Sequence, residues 1–328
     1  MHSDDMKDPR KPILTKILLV IALAFSFRPG AAMAQSLSLA TSGDGTAIYY
    51  YGLAISKVSN EVSGLDIRPK PYASAGQGAV FVNSGEVDFG LYNAIVLREA
   101  FLGLEFFKDR PLENLRAVAR LMPFQLTFGT RASSGITTVV DLRGKRVPAG
   151  FDATAFGERL YAAMLGTAGL SYQDVVPVQV SDWAGLGKAF VRGTIDVNGL
   201  VVGSATATRY AEQVDDYRAV SLMTGNDAEK RLQEVFPASR LVTVMPGDGL
   251  SGIVEPTVVM EYDYWLFAHK DTPDQAVRDV LRTLFAGQAL LSAASKDFRN
   301  FDPQEMYDEI GVPFHPAALA FYDEKGLR

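Results

Sequence analysis

The chain has 328 residues, 32 Lys and Arg against 38 Asp and Glu for a formal charge of −6, and 48% hydrophobic side chains. It contains no Cys, which excludes disulfides, thiol catalysis and anchoring through a lipidated N-terminal Cys. A net acidic surface argues against nucleic acid or anionic lipid as the partner, and the length suits one large domain or, preferably, two lobes of about 150 residues.

The first 34 residues have the order of a secretory signal: basic Arg10, Lys11 and Lys16, an apolar run over 17–27, then small residues ending Ala32-Met33-Ala34. Cleavage before Gln35 is expected, removing five basic and three acidic side chains and moving the net charge from −6 to −8. The apolar run is well short of the ~20 residues that span a bilayer. No stable membrane insertion is therefore expected after cleavage; a retained anchor is the alternative.

Residues 37–41 alternate as a strand, Ser42-Gly-Asp-Gly-Thr46 is a turn of small residues, and 47–58 carry helical apolar spacing. An extended segment follows at 65–72. Ser74-Ala-Gly-Gln-Gly78 opens a short helix, and Gly85-Glu-Val-Asp88 turns into an apolar strand at 89–92. Residues 117–131 form a long apolar run suited to a strand crossing between lobes.

A second copy of the same pattern then appears under a shift of 108 positions. Residues 67–85 lie without gaps over 175–193, with Pro69 on Pro177, Val82 on Phe190 and Gly85 on Gly193; Asp88 falls on Asp196. Upstream, Leu39 falls on Val147, Ser42 on Gly150, Thr46 on Thr154 and Ala47 on Ala155. In this copy 145–149 is the strand, 150–153 the loop and 154–165 the helix, followed by the strand 175–180, the loop 181–184 and the turn 193–196. A second crossing strand is expected at 258–270, with helices returning to the first lobe from Pro273, which suits a first helical turn.

Alternating strands and helices imply parallel sheets with helices on their faces. The expected fold class is α/β, with two similar α/β lobes joined by two crossing strands. Lobe I comprises 35–125 and 258–328, and lobe II 126–257. Two crossings make a hinge, and the cleft between the lobes is where a ligand binds.

Loops at the carboxyl ends of parallel strands are the usual ligand crevice. Those of the first copy are small or hydroxylic: Ser42, Gly43, Gly45 and Thr46, then Ser74, Ala75, Gly76 and Gly78. Small side chains let backbone N–H groups approach a ligand, and helix N-termini hold anionic oxygens without an Arg. The second copy offers bulkier Phe151, Asp152, Ala153 and Thr154, and Ser181-Asp-Trp183, a lid with aromatic walls in which Trp183 is the leading candidate. Gly-Ser loops also serve as ordinary turns, and Asp44, Asp152 and Asp182 either meet a cation or amine or cap turns and helices. At most two of Tyr49, Tyr50 and Tyr51 face the cleft. Tyr92-Asn93 ends a strand, where the Asn amide pairs with a ligand or caps a turn.

Catalytic sets are thin. Beyond the leader only His269 and His315 remain, neither in a metal-ligand spacing. There is no G-x-S-x-G elbow, Gly144-Lys145 and Gly187-Lys188 lack the rest of a P-loop, and Ile48 stands where a dinucleotide loop opening at Gly43 requires its third Gly. Glu255 with Glu261-Tyr-Asp263 reads either as an acid/base pair or as solvated carboxylates. No cofactor, no metal and no enzymatic activity are expected.

Ser42-Gly-Asp-Gly-Thr-Ala-Ile-Tyr-Tyr50, Ser74-Ala-Gly-Gln-Gly78 with Gly85-Glu-Val-Asp-Phe-Gly90, and Ser134-Gly-Ile136 with Asp141-Leu-Arg-Gly-Lys-Arg-Val147 resemble the TAXI solute-binding proteins of tripartite ATP-independent periplasmic (TRAP) transporters. The segment 274–290 and the tail motifs Pro313-Phe-His-Pro316 and Tyr322-Asp-Glu-Lys-Gly326 are similar to that family as well. The resemblance implies a type 2 periplasmic binding protein fold and a carboxylate or amino-acid-like ligand delivered to TRAP membrane permease subunits. It maps the binding loops onto Ser42–Thr46 with Tyr49, Ser74–Gly78, Tyr92-Asn93 and Gly150–Thr154. The family's second-lobe loop is usually rich in Gly and Ser, whereas this one reads Gly150-Phe-Asp-Ala-Thr154, which favours an aromatic or branched acid. The reading is a monomeric periplasmic transport protein; a sensory binding protein serving a membrane receptor, or an enzyme on a related two-lobed fold, are the alternatives.

Overall fold

The computed structural model describes residues 36–44, 46–73, 75–151 and 155–328; the expected signal segment, 1–34, lies outside them. Among the described residues no helix is long and apolar enough to cross a membrane.

The first lobe begins with β1 (Leu37–Ser42), α1 (Ala47–Ser63), β2 (Ile67–Tyr72), α2 (Ala75–Asn83), β3 (Phe89–Asn93) and α3 (Ala94–Leu102). β1 lies parallel between β2 and β3. Helix α1 starts where the Thr46 hydroxyl accepts from Tyr49 N and stops at Gly64 in the left-handed conformation. Its Tyr51, Ala54, Ile55 and Val58 fall on one stripe and are buried.

β4 (Leu115–Arg131) then leads into the second lobe: β5 (Arg146–Gly150), α4 (Ala155–Gly166), β6 (Val176–Val180), α5 (Trp183–Val191), β7 (Val197–Val201), α6 (Ala205–Gln213), β8 (Tyr217–Val220), α7 (Asn226–Val235) and β9 (Arg240–Val244). β10 (Thr257–His269) returns, followed by α8 (Asp274–Ala286), α9 (Gln288–Ala294) and α10 (Pro316–Lys325). The segment 274–290 does not form one continuous helix but breaks between α8 and α9 at Gly287, where a Cβ would stand 2.5 Å from the Thr283 carbonyl oxygen and 2.8 Å from Val58 Cγ1.

β4 and β10 pair antiparallel from Leu115 opposite His269 to Leu126 opposite Met260. Near its C-terminal end β10 borders β3, and near its start it borders β9; β4 goes on to pair with β7 and β8. The two long strands thus run through both lobes. In β10, Tyr264, Leu266 and Ala268 enter a core shared with α1, α8 and α10, while Trp265 and Phe267 enter the core under α2 and α3. Burial on both faces is why this stretch is continuously apolar rather than alternating. A separate core around Phe128, Tyr161, Phe190 and Phe236 fills the second lobe.

The repeat is present in three dimensions. α2 and α5, and β3 and β7, have the same bounds after a shift of 108. Asp88 Oδ2 accepts from Ser38 N at 2.7 Å, and its counterpart Asp196 accepts from Arg146 N at 2.7 Å, so each carboxylate ties the strand after the turn to the first strand of its copy. Gly85 and Gly193 both hold positive φ, 78° and 73°, in the turn before that carboxylate. Asp88 also accepts from the Ser38 hydroxyl. Asp88→Ala is expected to cost about 2 kcal/mol of unfolding free energy in urea denaturation, and Asp88→Asn, which keeps an acceptor, clearly less.

Candidate functional site

A cleft of about 1110 Å³ lies between the lobes. One wall carries Ser42, Asn93 and the α1 side chains Ala47, Tyr50, Tyr51 and Lys57; the other carries Phe156, Leu160, Trp183, the turn 201–206 and Tyr210. Residues 123–126 of β4 with Tyr262 and Tyr264 of β10 form the floor, and Lys296, Asp297 and Asn300 close one end.

Four helices present their first residues to this space. Ala47 opens α1 behind the Thr46 cap, and Asn93 caps α3 by accepting from Val96 N at 2.8 Å. Trp183 opens α5 behind Asp182, which accepts from Gly185 N at 2.7 Å, and Ser204 caps α6 by accepting from Ala207 N at 3.1 Å. No acidic residue occupies the first turn of any of the four. At α1, α3 and α6, whose caps are uncharged, free N–H groups and the positive ends of helix dipoles suit an anionic oxygen, whereas at α5 the Asp182 carboxylate already takes that place. Ser204→Ala removes one cap and is expected to cost about 1 kcal/mol of stability in chemical denaturation.

The floor is aromatic. Phe124 stacks on Tyr262 with centroids 5.1 Å apart, and Tyr264 meets Phe124 edge-on at 5.7 Å. Burial pushes the Tyr51, Tyr262 and Tyr264 phenols well above their ordinary pKa; at Tyr51 the neighbours Tyr264 and Asp297 add to it. These hydroxyls therefore remain neutral donors. At the crossing lies an ionic set: Asp263 contacts Arg120 at 3.0 Å and Arg240 at 2.9 Å, and Glu261 contacts Arg240 at 2.5 Å and Gln125 at 2.6 Å. Burial pulls the Arg240 guanidinium down, but Asp263 and Glu261 outweigh it and raise its pKa.

Residues 39–326 match the sequence profile of the NMT1-like family. The chain belongs to the NMT1-like family. Three solved structures share its fold at low identity. A TctC solute binding protein from Polaromonas is 15% identical with TM-score 0.54, covering 89% of this chain and 96% of that one. MatC from Rhodopseudomonas palustris with bound malate is 15% identical with TM-score 0.52 over the same shares. The periplasmic aliphatic sulphonate binding protein SsuA from Escherichia coli is 14% identical with TM-score 0.51, covering 88% and 87%. This NMT1-like chain has the two-lobed α/β fold of periplasmic binding proteins.

In this member of the family the structure gathers some of the residues expected from sequence and separates others. Ser42, Asn93 and Trp183 line the cleft. At Gly43 a Cβ would meet the Tyr72 carbonyl oxygen at an ordinary 3.8 Å; Thr46 caps α1, and Tyr49 sits edge-on to Tyr50, while Tyr50 and Tyr51 are the tyrosines of that run on the wall. Tyr92 is fully buried, donating its hydroxyl to Thr41 O at 3.1 Å. Gly78 makes room for it, since a Cβ there would meet that hydroxyl at 2.0 Å. Gly76 faces Phe106 and Phe107, Ala75 opens α2, and Gly150 donates its N–H to Glu158. Phe151, at φ 52°, turns into the second-lobe core, stacks on Tyr161 and lies tilted against Trp183 at 4.9 Å. Gly45, Ser74, Asp152, Ala153 and Thr154 lie outside the described residues.

Absent from the expected set are Ser204 and its turn, the floor residues Phe124 and Tyr262, and the segment 295–300. Ser204 carries a legible signal, a hydroxyl residue just before a helix; the others carry none. His269 accepts from Asp271 N at the end of β10 and His315 caps α10. Burial holds both imidazoles below their ordinary pKa. Among the described residues no group of three or more His, Asp and Glu is placed to hold a metal.

Proposed function

We propose that this chain is a periplasmic solute-binding protein that closes two lobes on a small carboxylate and delivers it to a TRAP-type membrane transporter. The observation carrying this reading is the meeting of three helix N-termini, those of α1, α3 and α6, with uncharged caps and no acidic residue in their first turns, at one cleft between two α/β lobes. The carboxylate sits at those N-termini, and an aromatic or branched body lies over Phe124, Tyr262 and Trp183. Of the loops expected from sequence, Ser42 and Asn93 supply hydroxyl and amide contacts, joined by Ser204 from the second lobe. Residues 1–34 are the export signal, 35–125 with 258–328 form lobe I, and 126–257 form lobe II. The protein works as a monomer and without catalysis. The motifs shared with TAXI proteins support the transporter class, and malate in the MatC structure is an anion of the expected kind.

A thermal-shift panel of carboxylates, sulfonates and phosphonates tests the reading. Ligand at 100 times its Kd adds about 2.7 kcal/mol of stability, so at least one carboxylate is expected to raise Tm by several degrees. No shift with any carboxylate at millimolar concentration, in protein unfolded and refolded to strip bound solute, contradicts it.

A further inference from the structure

Arg159, on α4 of the second lobe, extends to the first. Its Nη2 lies 2.7 Å from Glu99 Oε1 on α3, and its Nη1 lies 3.7 Å from Glu105 Oε2 in the 3-10 turn after α3. The guanidinium rests over the Phe236 ring at 4.9 Å, which fixes its plane from the second-lobe side. Glu105 is held at φ 52°, a conformation side chains rarely adopt. Glu99 is only 9% exposed. The surrounding contacts interlock: Ile95, one turn before Glu99, is part of the second-lobe core, and Ala238, two residues after Phe236, packs on the first-lobe core under α2 and α3.

We infer that Arg159, Glu99 and Glu105 form an electrostatic latch between the lobes that holds them closed; the inference rests on the closing, two-lobed reading above. When the lobes part, Arg159 and Glu99 regain water together. When they close without Arg159, a nearly dry carboxylate is left uncompensated, and that is far more costly than removing both charges. Burial pushes the Glu99 carboxyl above its ordinary pKa; Arg159 is the main opposing pull and Arg98 a weaker one, while Glu105 adds to the rise.

The test uses the mature chain without ligand, labelled through Glu61→Cys on α1 and Lys230→Cys on α7; both sites are exposed, and the chain has no other Cys. Single-molecule energy transfer reads the closed-to-open ratio. Arg159→Gln is expected to lower that ratio at least tenfold, and the neutral double variant Glu99→Gln/Arg159→Gln is expected to return it to within about threefold of the unaltered chain. An unchanged ratio in Arg159→Gln overturns the latch, as does equal opening of the single and double variants, or an unaltered chain with no closed population. No ligand enters the measurement, so a failed binding panel leaves the latch standing, and a failed latch leaves the panel standing.

Discussion

Replacing Asp263 by Ala is expected to lower the unfolding free energy by about 3–5 kcal/mol, the range for breaking a buried ion pair from one side. The Asp263 side chain is 4% exposed and sits between Arg120 of β4 and Arg240 of β9. Arg120 Nε is itself buried and has no hydrogen-bond partner among the described residues beyond its 3.0 Å ion-pair contact with Asp263. Removing the carboxylate leaves that group dry and unpaired. Glu261 and Glu305 keep hold of the outer arms of the two arginines, which keeps the loss from growing further. Asp263→Asn retains an acceptor and is expected to lose less than Asp263→Ala. Urea denaturation of the two variants reads the difference, and a loss below about 1 kcal/mol in Asp263→Ala means that water solvates both arginines. The position matters for function because Asp263 lies at a register shift in β10 where it crosses between lobes.

Filling the cleft from either wall is expected to weaken solute binding at least 100-fold, or about 2.7 kcal/mol. Ala47 and Ala205 are the first residues of α1 and α6, both exposed and both lining the cleft from opposite lobes. A Trp at either position occupies the space before the helix N-termini without entering a core. For whichever acid of the panel binds the unaltered chain, calorimetric titration of Ala47→Trp and Ala205→Trp is expected to show the loss, with the unliganded Tm within about 2 °C of the original. Unaltered affinity in both variants places the ligand elsewhere.

The architecture was legible where it is written twice. Asp88 and Asp196 occupy matching positions because each copy needs a carboxylate to fasten its first strand, and Gly85 and Gly193 match because the turn before it needs positive φ. The crossing strands were legible because burial on both faces leaves long, largely apolar runs, interrupted by the charged residues that pair at the crossing. The site was less so. Phe151, just after β5, and Tyr92, near the end of β3, stand at positions suited to ligand contact, yet each buries a ring: Tyr92 fills the space that Gly78 leaves, and Phe151 completes a stack with Tyr161. Which way a side chain at a strand end turns depends on cavities made by distant residues, and no local spacing records it. The same holds for Arg159 and Glu99, whose pairing across 60 positions is set by how two lobes meet. The floor pair Phe124 and Tyr262 depends on a register with no counterpart in the repeat.

The two tryptophans make the central claim directly measurable. Trp183 is 44% exposed at the cleft, and Trp265 is fully buried. Titrating an acid that raises Tm is expected to change the emission of Trp183 saturably, with the change absent in Trp183→Phe and present when Trp265 is the tryptophan replaced by Phe. A ligand that stabilises the protein while Trp183 emission stays constant through saturation contradicts binding between the lobes.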